Sequence, residues 1–184
     1  DGGQNTGPVN NEAKVNQQGD GNKADIDQFG DNGKAAQWAS GDNNLVNQTQ
    51  YGSDNTQRIE ITGSDNNYSA QQDGLGNELY VNSRGTGPAD GVVDQGASNS
   101  TFSADQTGDD NVISGAMGGS GNDVSIKQSG GGNAVTGGAS RWAAEGFRVN
   151  GDKNALTIEQ IGMNNVASAQ QVGNDNTASI AQSN

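Results

Sequence analysis

Polar and apolar residues alternate along this chain with a period of two, and the alternation restarts every eleven residues. Asn11 to Gly21 and Asn22 to Asn32 both spell Asn-x-Ala-x-(Val/Ile)-x-Gln-x-Gly-x-x, with Lys, Glu, Asp and Asn at positions 2, 4 and 6. Successive strand side chains point to opposite faces, so positions 1, 3, 5 and 7 share one face and that face is the one to bury. Gly at position 9 ends each strand, because glycine reaches the positive φ that a tight turn needs.

The same unit recurs as fifteen halves, beginning at Asn11, Asn22, Gly33, Asn44, Asn55, Asn66, Asn77, Ala89, Ser100, Asn111, Asn122, Asn133, Asn154, Asn165 and Asn176. The register slips by one residue around Pro88 and by ten at 141–150, where RWAAEGFRVN reads as a loop insertion. Residues 1–10 lie outside the repeat and read as a flexible N-terminal leader. A repeat too small to bury its own apolar face buries it by stacking on its neighbours. The fold predicted for 11–184 is therefore all-β: a β-solenoid of strand-turn-strand rungs with two in-register parallel sheets, cross-β when copies stack head to tail. Fifteen halves leave half a rung vacant, and the leader is the candidate to fill it at a junction between copies.

The inward amides are the candidate site. Position 1 offers Asn11, Asn22, Asn44, Asn55, Asn66, Asn77, Asn111, Asn122, Asn133, Asn154, Asn165 and Asn176; position 7 offers Gln17, Gln28, Gln50, Gln72, Gln95, Gln106, Gln128, Gln160, Gln171 and Gln182. The glutamines lapse at Ala39, Ile61, Ser83, Met117 and Ala139. A buried amide without a partner costs about 1–3 kcal/mol. Stacked amides escape that cost when each NH₂ donates to the carbonyl oxygen of the next rung. The turn glycines are Gly19, Gly30, Gly41, Gly52, Gly63, Gly74, Gly85, Gly108, Gly119, Gly130, Gly162 and Gly173.

Composition narrows the function. Leu, Ile, Val and Phe supply only 27 of 184 residues and the net charge is −13, too few large side chains for a conventional core. Order must come from repeated backbone and amide hydrogen bonds. With no Cys and no His, the commonest metal ligands and general base are missing, so we read no enzyme, no cofactor and no metal site. The acidic balance offers no footprint for nucleic acid, and no apolar run is long enough for membrane insertion.

NEAKVNQQGDGNKADIDQ and its later echo STFSADQ, from Ser100 to Gln106, closely resemble the curlin repeat. Gly33, Ala89 and the 141–150 insertion depart from the pattern. The resemblance implies a major subunit of curli: an extracellular functional amyloid of a Gram-negative-type bacterium, a homopolymer serving biofilm matrix and surface adhesion. It also implies two partners, a nucleator subunit and an outer-membrane secretion apparatus. The competing reading is a monomeric calcium-binding or ice-binding β-solenoid. It is weak, because turn aspartates such as Asp20, Asp42 and Asp109 do not recur on every rung and outward threonines form no regular array.

Overall fold

A computed structural model of the chain describes residues 10–82, 97–136 and 146–184. The chain coils as a two-sheet β-solenoid in which every sheet pairing is parallel and in register. The second sheet has seven strands: β2 (Lys23–Phe29), β4 (Leu45–Ser53), β6 (Asn67–Leu75), β9 (Thr101–Thr107), β11 (Asp123–Ser129), β14 (Ala155–Ile161) and β17 (Thr177–Ser183). The first sheet has the same number of levels, three of them broken. It runs through β1 (Glu12–Gln18), β3 (Lys34–Ser40) and β5 (Thr56–Thr62), then β7 (Glu78–Asn82) with β8 (Ala97–Ser98), and β10 (Val112–Ser120). The last levels are β12 (Ala134–Val135) with β13 (Phe147–Asn150), and β15 (Val166–Ala167) with β16 (Ala169–Val172).

The described residues therefore form seven whole rungs, fourteen halves where the sequence pattern predicts fifteen. β7 and β8 both pair with β10, so 77–82 and 97–98 lie on one level. β6 pairs directly with β9, and no level remains between them for a strand beginning at Ala89. Ala89 itself, with Pro88, Ser83, Gly85 and Gln95, lies outside the described residues. The second break is also displaced from its expected place. β13 pairs Phe147–Asn150 with Gly115–Gly118, so these residues complete the strand that β12 began. The inserted stretch ends before Phe147 and not at Asn150. Position 7 of that rung is thus Val149; Ala139 lies outside the described residues, as do residues 1–9 of the leader. No half-rung vacancy arises for the leader to fill.

Two positions per turn have positive φ. Position 9 is glycine almost throughout, with φ from 90° at Gly52 to 131° at Gly30, and a Cβ on Gly30 would sit 1.8 Å from the Gly52 carbonyl oxygen in the next rung. Both the dihedral and the rung spacing thus demand glycine. Gly151 joins this set once the insertion is placed correctly. Position 11, which the sequence reading did not separate, is also left-handed: Asn32, Asn43, Asp54, Asp65 and Asp110 lie at φ 55–59°. Asn and Asp tolerate that region better than other side chains.

The core is a narrow apolar column between the sheets. It holds Val46, Ile59, Ile61, Tyr68, Leu79, Phe102, Ile113, Ile126, Phe147, Leu156 and Ile158, each at most 1% exposed. Each such burial contributes about 1.5–3 kcal/mol. Large residues concentrate in the middle rungs, where Tyr68, Phe102 and Phe147 form an aromatic string with centroids 5.7 and 5.8 Å apart. In the first rung Val15 is 47% exposed.

Candidate functional site: the amide columns

Position 7 of the second sheet is glutamine in every rung, and the seven side chains form one continuous ladder. Gln28 Nε2 donates to Gln50 Oε1 at 2.8 Å, and the same bond repeats from Gln50 to Gln72, Gln72 to Gln106, Gln106 to Gln128, Gln128 to Gln160 and Gln160 to Gln182 at 2.8–3.0 Å. Every amide dipole points the same way along the axis. The other hydrogen of each NH₂ reaches across the solenoid to a position-2 carbonyl of the first sheet, as in Gln50 to Lys34 and Gln128 to Val112, both 3.1 Å. Gln72, Gln106, Gln128 and Gln160 are fully buried, and the ladder gives each a complete set of partners. Links span 22 residues except where an insertion lengthens the loop to 34 or 32. The insertions leave the ladder unbroken.

The first sheet has no such ladder. Gln17 stands beside Ala39 and Gln171 beside Val149, so neither has a glutamine in its neighbouring rung. Gln171 donates across to Ala155 O at 2.9 Å, and its Oε1 has no partner.

Asparagine at position 1 does more than the expected amide-to-amide stack, which Asn22, Asn44 and Asn66 do form. Its Oδ1 accepts the main-chain N–H of the next rung, and its NH₂ turns to the carbonyl of a position-9 residue. In the first sheet Asn55 accepts from Asn77 N, Asn77 from Asn111 N and Asn111 from Asn133 N, all at 3.0 Å. Their NH₂ groups donate to Gly74, Gly108 and Gly130 at 2.7–2.9 Å. Asn133 accepts from Asn165, whose side chain also donates to it at 3.0 Å. At the bottom of the sheet Asn11 accepts from Gly33 N at 2.7 Å and donates to Gly30 O. Direct side-chain contacts are commoner in the second sheet: Asn44 to Asn22, Asn66 to Asn44, Asn154 to Asn122 and Asn176 to Asn154, at 2.9–3.1 Å. Ser100 interrupts that column, its Oγ accepting Asn122 N at 3.2 Å. Glutamine therefore joins rung to rung inside the column, whereas asparagine clamps strand to turn.

Position 10 adds a further brace. Asp42, Asp109 and Asp152 accept the N–H of Asp20, Leu75 and Ser120 at 2.8–2.9 Å. These three turn carboxylates are thus engaged with backbone, and among the described residues no cluster of three acidic, His or Cys side chains could hold a metal ion. The signal for this brace was the Asp, Ser and Asn bias at position 10.

Three inward glutamines lie outside positions 1 and 7. Gln37 and Gln48, at position 5 of the second rung, are buried and neither amide has a hydrogen-bond partner. Gln57 donates to Thr49 O at 3.1 Å. On the outer face of the first sheet the Trp38 ring lies 4.9 Å from the Arg58 guanidinium and 5.4 Å from Lys14 Nζ, and Arg58 also covers Tyr80 at 5.4 Å. Arg58 pairs with Glu60, which is buried beneath it. At the second-sheet turn Phe29 and Tyr51 stack at 5.0 Å with planes 9° apart.

No helix in the described residues is long and apolar enough to cross a membrane. No curated protein matches the chain. The family model described as the curlin associated repeat matches at residues 10–36 and 151–183, the two ends of the solenoid, where rungs one and seven lie. With the eleven-residue unit, the parallel two-sheet solenoid and the amide columns already in place, these matches identify curlin associated repeats at both ends of the described solenoid.

Proposed function

We propose that this chain is the structural subunit of an extracellular curli-type fibre, and that its solenoids stack head to tail into a continuous cross-β homopolymer. The observation that carries the reading is the glutamine ladder. It runs the whole height of the second sheet and leaves a free acceptor, Gln28 Oε1, at one end and a free N–H on Gln182 at the other. The two ends match, so one solenoid is the template for the next, and the open strand edges at both ends are the liability that stacking removes. Fibres of this kind serve biofilm matrix and surface adhesion. The curlin repeats support a nucleator subunit and an outer-membrane secretion apparatus as partners, and a place outside the cell. The side-chain chemistry is structural: the second-sheet position-7 glutamines are consumed in a ladder and Asp42, Asp109 and Asp152 in braces.

Polymerisation of purified chain, followed by amyloid-dye fluorescence and electron microscopy, tests the reading. Gln128→Ala removes a ladder member and slows fibre formation, while Ser129→Ala at the end of the same strand does not. A chain that stays monomeric at high concentration, or equal rates for both variants, contradicts it.

A further inference from the structure

The Gln17 side chain is exposed and makes no hydrogen bond among the described residues, although it occupies the position whose glutamines are elsewhere the most heavily bonded. Its two missing partners can be named from the repeat. Along the axis, a position-7 glutamine bonds to a glutamine in the adjoining rung; across it, the NH₂ bonds to a position-2 carbonyl sixteen residues earlier, as in Gln28 to Glu12, Gln171 to Ala155 and Gln182 to Val166. Sixteen residues before Gln17 the repeat pattern has stopped.

At the far end, Gln171 is buried at 6% exposure in the last rung, its NH₂ bonded across to Ala155 with one N–H left over. Thr177 opens the strand that closes that rung and stands at position 2. The first described strand, β1, belongs to the first sheet and the last, β17, to the second, so described strands of a second copy placed on top continue the alternation.

We propose that Gln17 is a junction residue whose partners are Gln171 and the Thr177 carbonyl of a second copy of this chain. Resting on the fibre-subunit reading, this assigns the register of the joint. Gln171 Nε2 donates to Gln17 Oε1 of the copy above, and Gln17 Nε2 donates back to Thr177 O of the copy below. The first sheet then has a glutamine pair at each subunit junction and at no described level within a subunit, since Ala39 and Val149 follow on either side. The pair marks the joint chemically. It also orients it, because inverted stacking would bring Gln17 against Gln17 and oppose the ladder dipoles.

The chain has no cysteine, so Gln17→Cys/Gln171→Cys introduces the only two thiols. Within one copy they lie six rungs apart, roughly 29 Å, far beyond the 4.4–6.8 Å Cα separation of a disulfide. Across the proposed joint they lie about 4.8 Å apart. Oxidised fibres of the double variant, dissolved in denaturant without reductant, should run as a ladder of covalent multimers that collapses to monomer on reduction. Monomer alone from such fibres overturns the joint while leaving the fibre reading intact; wild-type chain that forms no fibres overturns both. As a second measurement, Gln17→Ala should elongate wild-type seeds at least fivefold more slowly than Asn16→Ala, whose side chain faces outward. Equal elongation rates overturn the proposal.

Discussion

Phe147 lays its ring over Gly115 in the rung below. A Cβ built on Gly115 would lie 2.1 Å from two carbons of that ring, and the ring then stacks on Phe102 at 5.8 Å. Gly115 has no unusual dihedral, so its lack of a side chain is a matter of space. Gly115→Ala should therefore destabilise the solenoid by about 1–3 kcal/mol through overpacking. In a double-mutant cycle most of that cost should vanish when Phe147→Leu is also present. Additive losses in denaturant unfolding would mean that the two residues are not coupled.

Lys153 is the exception among the left-handed turn residues. At φ 55° it stands where other turns use Asn, Asp or Gly, and its neighbours along the axis, Gly121 and Asp175, show what the position accepts. A left-handed lysine costs about 1–2 kcal/mol. Lys153→Gly should raise stability by about 1 kcal/mol after the entropy of glycine is set against it, visible as a higher denaturation midpoint. A lowered midpoint would show that the lysine side chain makes a contact worth more than the strain.

Buried glutamines should divide into two classes under mutation. Gln128 has ladder partners above and below and a carbonyl across the solenoid, so Gln128→Leu strands several buried polar groups and should cost about 3 kcal/mol. Gln37 is just as buried, but its amide is unpaired. Gln37→Leu removes a desolvated group from an apolar setting and should be neutral or stabilising. Thermal unfolding of the two variants side by side decides this; equal losses would mean that burial, and not the ladder, sets the cost.

Much of this architecture was legible because the eleven-residue unit encodes strand face and turn in one pattern. The amides of Asn22, Asn44 and Asn66, and of Gln28, Gln50 and Gln72, lie in columns where a period of two and a rung of two units place them. The count failed at Ala89 because 89–97 imitates a half, with Val93 and Gln95 at the right spacing, and periodicity cannot tell an inserted stretch from a rung. Only pairing can: the direct bond from Gln72 to Gln106 closes the level. The second insertion was misplaced by the same ambiguity, since FRVN has the alternation of a strand yet follows RWAAEG without a break in one ten-residue stretch. Gly115 makes room for Phe147 from the adjoining rung, a relation between residues far apart in sequence. Nor could the unit alone say that asparagine would clamp backbone while glutamine laddered. The shorter amide reaches the next rung's N–H and turn carbonyl, and in the second sheet the neighbouring amide as well.

Helical reconstruction of filaments grown from the purified chain tests the central claim most directly. Seven whole rungs joined without a gap predict strands perpendicular to the filament axis, rungs about 4.8 Å apart and an axial rise of roughly 34 Å per subunit, with the Gln28-to-Gln182 ladder running unbroken from copy to copy. Filaments in which solenoids meet side by side, or in which a joint lacks continuous parallel pairing, would contradict it.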